Sequence, residues 1–310
     1  MVLKRVLVTG ASGMVGRQVV AALAAEKAEV VATSRTRLES LPQGATWAPW
    51  DLGEWRTPAE LGRLFGAVDA AVHCGAAVPR AGLRLDDRQL IDVNVRACLA
   101  LGEWALSMDA PVVFVSGAAV YAEPERSGIA EDAPKGPNAV AGFYGVTKLM
   151  AEAVFGMLRR RGLKAAILRP SSIYGPGLAD GKMIAEFMAV AARGGAIALE
   201  PPVDDRVDLV HAGDVARAAL LALTRQAWED FNVASGKPVS VAEIAAACVR
   251  AAGRGSVQLP PAPGGREPVV RFGLDTARAR RQLGYAPAIS LDAGLAMMRA
   301  GAPRLRATTA

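Results

Sequence analysis

The sequence predicts an α/β protein: a doubly wound parallel sheet with a small C-terminal α/β lobe. Three observations lead there. Apolar runs of strand length alternate with helix-length segments over the first 170 residues. A glycine triplet, Gly10, Gly13 and Gly16, stands at the first strand-to-helix junction. After Arg169 the texture changes, with Gly and Pro punctuating SSIYGPGLADG. Alternation of this kind gives βαβ units, whose parallel strands are covered on both faces and read as continuous hydrophobic runs.

Val6–Val8 reads as the first strand and about Val15–Glu26 as the first helix. Val30–Thr33 follows, then a third strand pattern ending before Asp51-Leu52. Asp69–His73 is the next strand, followed by a helix across Asp92–Leu106 and a strand at Val112–Val115. A helix over about Ala141–Arg161 leads to a strand at Ala165–Leu168. Beyond Arg169 a helix is expected over about Lys182–Arg193, and strand-like DLVH with helical AGDVARAALLAL returns to the earlier style. FNVASGKPVSVAEIAAACVRAAG reads as strand, turn and helix, with Ser240 as cap and Glu243 completing a capping box. The main domain is therefore placed at 1–170 plus about 206–224, and the second lobe at about 171–205 and 225–303. PPAPGG (260–265) is expected to be a loop and 304–310 a flexible tail.

The chain has 310 residues, 52% hydrophobic and 5% aromatic, enough for one large domain with a lobe. Its apolar runs break before 18 residues, which predicts no membrane span. MVLKRVLVTG enters a strand pattern directly, without signal-peptide architecture. Cys74, Cys98 and Cys248 are odd in number and far apart. They suit a reducing cytoplasm and offer neither a disulfide framework nor metal-ligand spacing. The net charge is +6, but the cations are scattered. The densest group, Arg159-Arg160-Arg161, reads as a helix C-terminus closed by Gly162, where cations complement the helix dipole. That argues against nucleic acid and for an anionic cofactor or substrate.

The first strand runs into TGASGMVG (9–16). Gly10 permits the tight turn, Gly13 lets the backbone approach a pyrophosphate, and Gly16 lets the helix pack close to the strand. The helix N-terminus supplies N–H groups and positive potential. A Rossmann domain is thus predicted to hold a dinucleotide through Gly10, Ser12, Gly13, Met14 and Gly16. A site for NAD usually has a carboxylate at the end of the second strand. Here EVVATSRTR puts Ser34 there, followed by Arg35 and Arg37. Nothing there repels a 2′-phosphate, and a guanidinium grips one bidentately, with Arg17 able to join. NADP is the expected cofactor and NAD the alternative. Asp51 and Leu52 are placed toward the adenine, and the small-residue turn HCGAA, including Ala76, is expected to bring its own backbone up to the cofactor.

Tyr144-Gly-Val-Thr-Lys148 lies near the start of the long helix, with phenol and ammonium on one face at i, i+4. A phenol with a pKa of about 10 is a poor base at neutral pH. A lysine about 4 Å away, at an effective dielectric of about 20, is worth about 4 kcal/mol, roughly three pKa units. Tyr144 is therefore expected to shift down into the range useful for acid–base catalysis.

TGASGMVG, Tyr144-x-x-x-Lys148 and RPSSIYGPG together resemble the extended short-chain dehydrogenases/reductases, the NAD-dependent epimerase/dehydratase family. The likeness extends to HCGAA at 73–77, Asn94 in the DVNV helix, VDLVHAGDVARA at 207–218, FNVASG at 231–236 and LGYAP at 283–287. It implies Tyr144 as acid/base and Lys148 holding the nicotinamide ribose. It also implies a homodimer through a four-helix bundle made from the Asn94 and Tyr144 helices.

The chain departs from the family pattern in places. Members usually carry Ser or Thr four residues before the tyrosine of the V-Y pair; here that residue is Gly117, and Ser116 sits one place early. One step along a regular strand turns a side chain to the opposite face, whereas a local bulge swings it back. Ser116 is a catalytic candidate on the second alternative. Ala118 and Ala119 replace the Asp-Glu pair of the nucleotide-sugar dehydratases, which argues against 4,6-dehydration. Ser172 replaces the Asn that often follows the R-P pair, which weakens the case for a nucleotide sugar. Gly117, Ser172 and Arg206 are the substrate-side candidates, with Arg206 equally placed to pair with Asp204 or Asp208. His73 and His211 read as structural, and no metal site is expected.

The leading reading is an NAD(P)-dependent oxidoreductase or epimerase acting at a secondary alcohol or ketone of a sugar-like or small hydroxylated substrate. The alternatives are a nucleotide-sugar epimerase and a weakly active or inactive dinucleotide-binding sensor or scaffold.

Overall fold

Strands whose residues are apolar on both sides have to be covered on both faces, and that decides the architecture. The computed structural model describes residues 3–38, 40–79, 85–261 and 267–301. The strands β1 (Arg5–Thr9), β2 (Glu29–Ser34), β3 (Ala45–Pro49), β4 (Ala70–His73), β5 (Val112–Val115) and β6 (Ala165–Pro170) come first. The short β7 (Ser172–Tyr174), β8 (Ala196–Ala198), β9 (Arg206–Val207) and β10 (Leu209–His211) precede β11 (Asp230–Val233). Three more, β12 (Val239–Ser240), β13 (Ser256–Gln258) and β14 (Val270–Arg271), follow. The helices are α1 (Met14–Ala25), α2 (Pro58–Phe65), α3 (Asp87–Ile91), α4 (Ala97–Ser107) and α5 (Gly142–Arg160), then α6 (Met183–Ala192), α7 (Ala212–Arg225), α8 (Val241–Ala252), α9 (Ala277–Leu283) and α10 (Leu291–Ala300).

The central sheet is Rossmann-like, in the order β11-β6-β5-β4-β1-β2-β3, and every pair is parallel. Strands β4, β5 and β6 are buried along their whole length, as their unbroken apolar runs require. On one face α1 and α7 pack together, and Val15, Val19, Val20 and Leu23 of α1 join the core. Each such burial is worth roughly 1.5–3 kcal/mol. On the other face α2, α4 and α5 bury Leu61, Phe65, Trp104 and Phe155. The strand order reverses between β1 and β4, with β2 and β3 added to one side of β1 and β4, β5 and β6 to the other, so a crevice opens there at the carboxyl ends of the strands.

The second lobe has its own core, drawn from α6, β8, α8 and α10, with Ile184, Ile197, Ile244 and Leu295 at its centre. The expected capping box at α8 is present: Glu243 N donates to Ser240 Oγ (3.1 Å) and Ser240 N to Glu243 Oε2 (2.6 Å). The 225–303 boundary needs correcting. β11 pairs with β6 as the edge of the central sheet, Phe231 opposite Leu168, and Ala279 and Leu283 of α9 join the first core. A boundary drawn on Gly/Pro texture does not register a chain that returns in space to an apolar sheet edge. The tail 304–310 and residues 262–265 of the PPAPGG loop lie outside the described residues.

Candidate active site

The glycine loop closes because its glycines permit contacts that a side chain would block. Gly10 has φ +64°, and a Cβ there would lie 2.5 Å from Gly75 Cα. A Cβ on Gly16 would lie 2.1 Å from Gly10 O. Gly13 is the N-cap of α1, whose first turn has no acidic residue and no side-chain cap. Those amides fit an anionic group. Ser12 and Gly13 carbonyls accept from Arg17 (2.7 and 3.2 Å), so Arg17 is tied to this loop and lies against Gly177. Met14 packs on the first core.

The β4 turn is held against β1. Cys74 N donates to Thr9 O (3.3 Å), and Thr9 Oγ1 joins His73 Nδ1 (2.6 Å) and accepts from Gly75 N (3.3 Å). Leu52 covers Gly75, whose missing Cβ would lie 2.2 Å from Leu52 Cδ1. The turn that contains Ala76 is clamped by Asn94, which receives Ala77 N (2.7 Å) and donates to Ala77 O and Thr147 Oγ1 (3.0 Å each). Asn94 lies in a single π-turn, Asp92–Arg96, between α3 and α4. Asp51 accepts from Gly53 N, while Ser34 donates to Thr36 O and accepts from Trp47 Nε1. The structure thus brings Gly10, Gly13, Gly16, Leu52 and Ala76 together at the crevice. Arg35 and Asp51 share a cavity of about 670 Å3 beyond the ends of β2 and β3.

Tyr144 and Lys148 stand one turn apart on α5. Lys148 is buried, donates to Val115 O (2.8 Å), and lies 4.3 Å over the Phe114 ring. Burial pushes its ammonium down to about 8 and the Tyr144 phenol up to about 12. The expected downward shift of Tyr144 is therefore corrected. Spacing puts the two groups on one helical face, but burial alone accounts for the shift on the phenol and Lys148 adds nothing to it.

Ser116 extends the ladder one bond past β5: its N donates to Leu168 O (2.8 Å). Its hydroxyl donates to Glu152 Oε1 (2.7 Å). That carboxylate also binds the fully buried Arg169, which reaches Asp230, Tyr121 Oη and Glu131 O. Ser116 thus faces a buried charge network. Gly117 is extended (φ 173°, ψ 161°), and a Cβ there would meet nothing nearer than Ala119 N at 3.9 Å. Asn138 ties this turn to α5: its Nδ2 donates to Ala119 O and Tyr121 O (2.9 Å each), and Ala141 N donates to its Oδ1 (2.8 Å). Sequence reasoning missed Asn138 and Glu152. Their signals were a Pro-Asn pair ahead of a helix, and an acid one turn past Lys148 on an otherwise buried face.

On the substrate side, Ser172 is half-buried and paired opposite Leu209. Arg206 pairs with Glu243 (3.0 Å) and Pro238 O (3.3 Å), rather than with Asp204 or Asp208. Strand β9 runs against β12 with Arg206 opposite Ser240, which sets Glu243 beside it. His211 caps α7 by accepting from Gly213 N (3.0 Å). Among the described residues no group of His, Cys, Asp or Glu is placed to hold a metal.

A profile of the NAD dependent epimerase/dehydratase family matches residues 6–234. The chain belongs to that family. It is an NAD(P)-dependent enzyme of the extended short-chain dehydrogenase/reductase type. Among family relatives, the dTDP-4-dehydro-6-deoxy-D-allose reductase of Streptomyces bikiniensis is 27% identical over 269 residues, 81% of this chain and 82% of its own. The structure of MoeE5 with UDP-glucose and NAD is 26% identical, with a TM-score of 0.78 over 95% of this chain and 97% of its own. The UDP-glucose 4-epimerase of Thermotoga maritima shares the family fold, with a TM-score of 0.80 over 95% of this chain and 97% of its own at 22% identity.

Proposed function

We propose that this enzyme prefers NADP and acts at a secondary alcohol or ketone of a sugar-like substrate, as a reductase or epimerase. The carrying observation is the Tyr144–Lys148 pair on α5, beside a 117–120 turn that holds no ionisable side chain. A dinucleotide, when bound, would supply or accept the hydride. Gly10, Gly13 and the first turn of α1 would hold its diphosphate, and Arg35 its adenosine portion. Tyr144 moves the proton at the substrate oxygen. Burial keeps its phenol neutral, so it is poised to donate to a developing alkoxide, the direction a reductase needs. Lys148, with its ammonium at about 8, is mostly charged at neutral pH and would hold the nicotinamide ribose. Ser116 has no substrate contact in this reading, because its proton is committed to Glu152.

A second reading, a nucleotide-sugar epimerase, draws on the UDP-glucose in the MoeE5 structure. Two further features belong to the proposal. Phe143, Met150 and Met157 recur every seven residues along α5 and are exposed. Such a stripe supports a homodimer packed through α5 and its neighbour α4. The cysteines are free, and no helix among the described residues is long and apolar enough to cross a membrane. Both fit a cytoplasmic setting. Tyr144→Phe tests the chemistry. Turnover should fall by about 10²–10⁴-fold with NADPH binding retained in a fluorescence titration. Undiminished turnover overturns the assignment.

A further inference from the structure

The peptide unit that joins Val115 to Ser116 is held on three sides, and one of the holders is the lysine of the active site. Its N–H, on Ser116, donates to Leu168 O of β6 (2.8 Å), and its carbonyl, Val115 O, accepts from Lys148 Nζ (2.8 Å). The Ser116 hydroxyl donates to Glu152 Oε1 (2.7 Å). Lys148 and Glu152 stand one turn apart on α5, so one helix both rests its ammonium on the carbonyl and grips the side chain beside it. Ser116, Lys148 and Glu152 are all buried. The grip is anchored at its far end, because Arg169 of β6 donates to both Glu152 oxygens (Nε to Oε1 at 3.0 Å, Nη2 to Oε2 at 2.8 Å). The next residue, Gly117, has no side chain to hold the peptide from beyond.

We infer that Ser116 is a positioning residue for Lys148: it fixes the Val115 carbonyl on which the ammonium rests. This role rests on the reading of Lys148 as the group that holds the dinucleotide, and it gives the displaced hydroxyl work away from the substrate. A buried ammonium depends on a fixed acceptor, because loss of water favours the neutral amine. Burial lowers Lys148 to about 8, while Cys98, Glu152 and Cys74 favour its charge. Burial pushes both thiols, from α4 and from the turn after β4, and the Tyr144 phenol up to about 12, and it holds His73 of β4 down to about 3. Those four groups are uncharged between about pH 6 and 10, which leaves Glu152 and the Val115 carbonyl to favour the ammonium there.

The test is a titration between about pH 6 and 10 of protein labelled with 13C-lysine, followed by NMR, with Lys148→Met to assign the resonance. The Lys148 midpoint should lie at about 8 in the parent and at about 7 in Ser116→Ala, the worth of one hydrogen bond. Ser171, just past β6, is also buried, and its Oγ has no partner among the described residues, so Ser171→Ala should leave the midpoint in place. Ser116→Thr keeps the hydroxyl and should restore it. In fluorescence titrations with NADPH and NADH, Ser116→Ala should weaken binding by about fivefold at pH 8 and hardly at all at pH 6, because the charged fraction of Lys148 differs only at the higher pH. A folded Ser116→Ala variant with the parental midpoint overturns the inference, as does an equal fall in Ser116→Ala and Ser171→Ala. A lowered midpoint in Ser116→Ala, with Lys148→Met binding both dinucleotides as the parent does, overturns the reading of Lys148 as their holder and leaves its link to Ser116 standing.

Discussion

At Gly117 the backbone is extended and the space beyond its hydrogen is open, so a serine fits without strain. If the turn faces the reacting oxygen, a hydroxyl there adds one hydrogen bond to the developing charge. Gly117→Ser should raise kcat by about tenfold or more, with Tm unchanged. Steady-state rates beside a thermal melt decide it, and a folded variant with no gain removes Gly117 from the site. The pair of Tyr144 and Lys148 was legible because helix spacing fixes which side chains share a face. Their proton affinities were not legible. Those depend on how much water the rest of the fold removes, and burial moves the phenol up and the ammonium down. Strand alternation set the direction of Ser116, but its partner Glu152 is thirty-six residues away and invisible to local pattern.

Among the elements, α5 depends on the turn in front of it. Asn138 both closes the turn that leads into the helix, by accepting from Ala141 N, and holds the 117–121 turn through two donated bonds. Asn138→Asp keeps the acceptor and loses both donors, so it separates the turn from the clamp. It should lower stability by about 2 kcal/mol, roughly 1 per lost bond, and reduce kcat further than the melt accounts for. A variant with parental Tm and kcat would show that the clamp holds nothing. The strands, the main helices and the α8 capping box could be read from the chain, since each follows from local periodicity or a three-residue spacing. The π-turn at Asp92–Arg96 could not. It follows from the need to aim Asn94 at both Ala77 and Thr147, which only the assembled sheet brings near. Nor could β11 be assigned to its sheet, because strand membership is decided by the neighbour it finds.

For the whole molecule, the α5 stripe sets the expected assembly. Met150→Glu with Met157→Glu places two like charges on the proposed seam. The parent should elute and scatter as a dimer and the double variant as a monomer. Light scattering behind size exclusion measures it, and an unaltered dimer moves the interface elsewhere. The Arg169 network has a different consequence, one of timing. Its guanidinium is fully buried, yet its carboxylate partner Asp230 lies sixty-one residues further on. During synthesis, β6 leaves the ribosome well before the strand that closes its edge and helps neutralise its charge. Until then the sheet has an open flank and a cation with only part of its counter-charge. The nucleotide-binding half cannot complete itself alone, and the chain has a built-in reason to finish folding only after its second half has emerged.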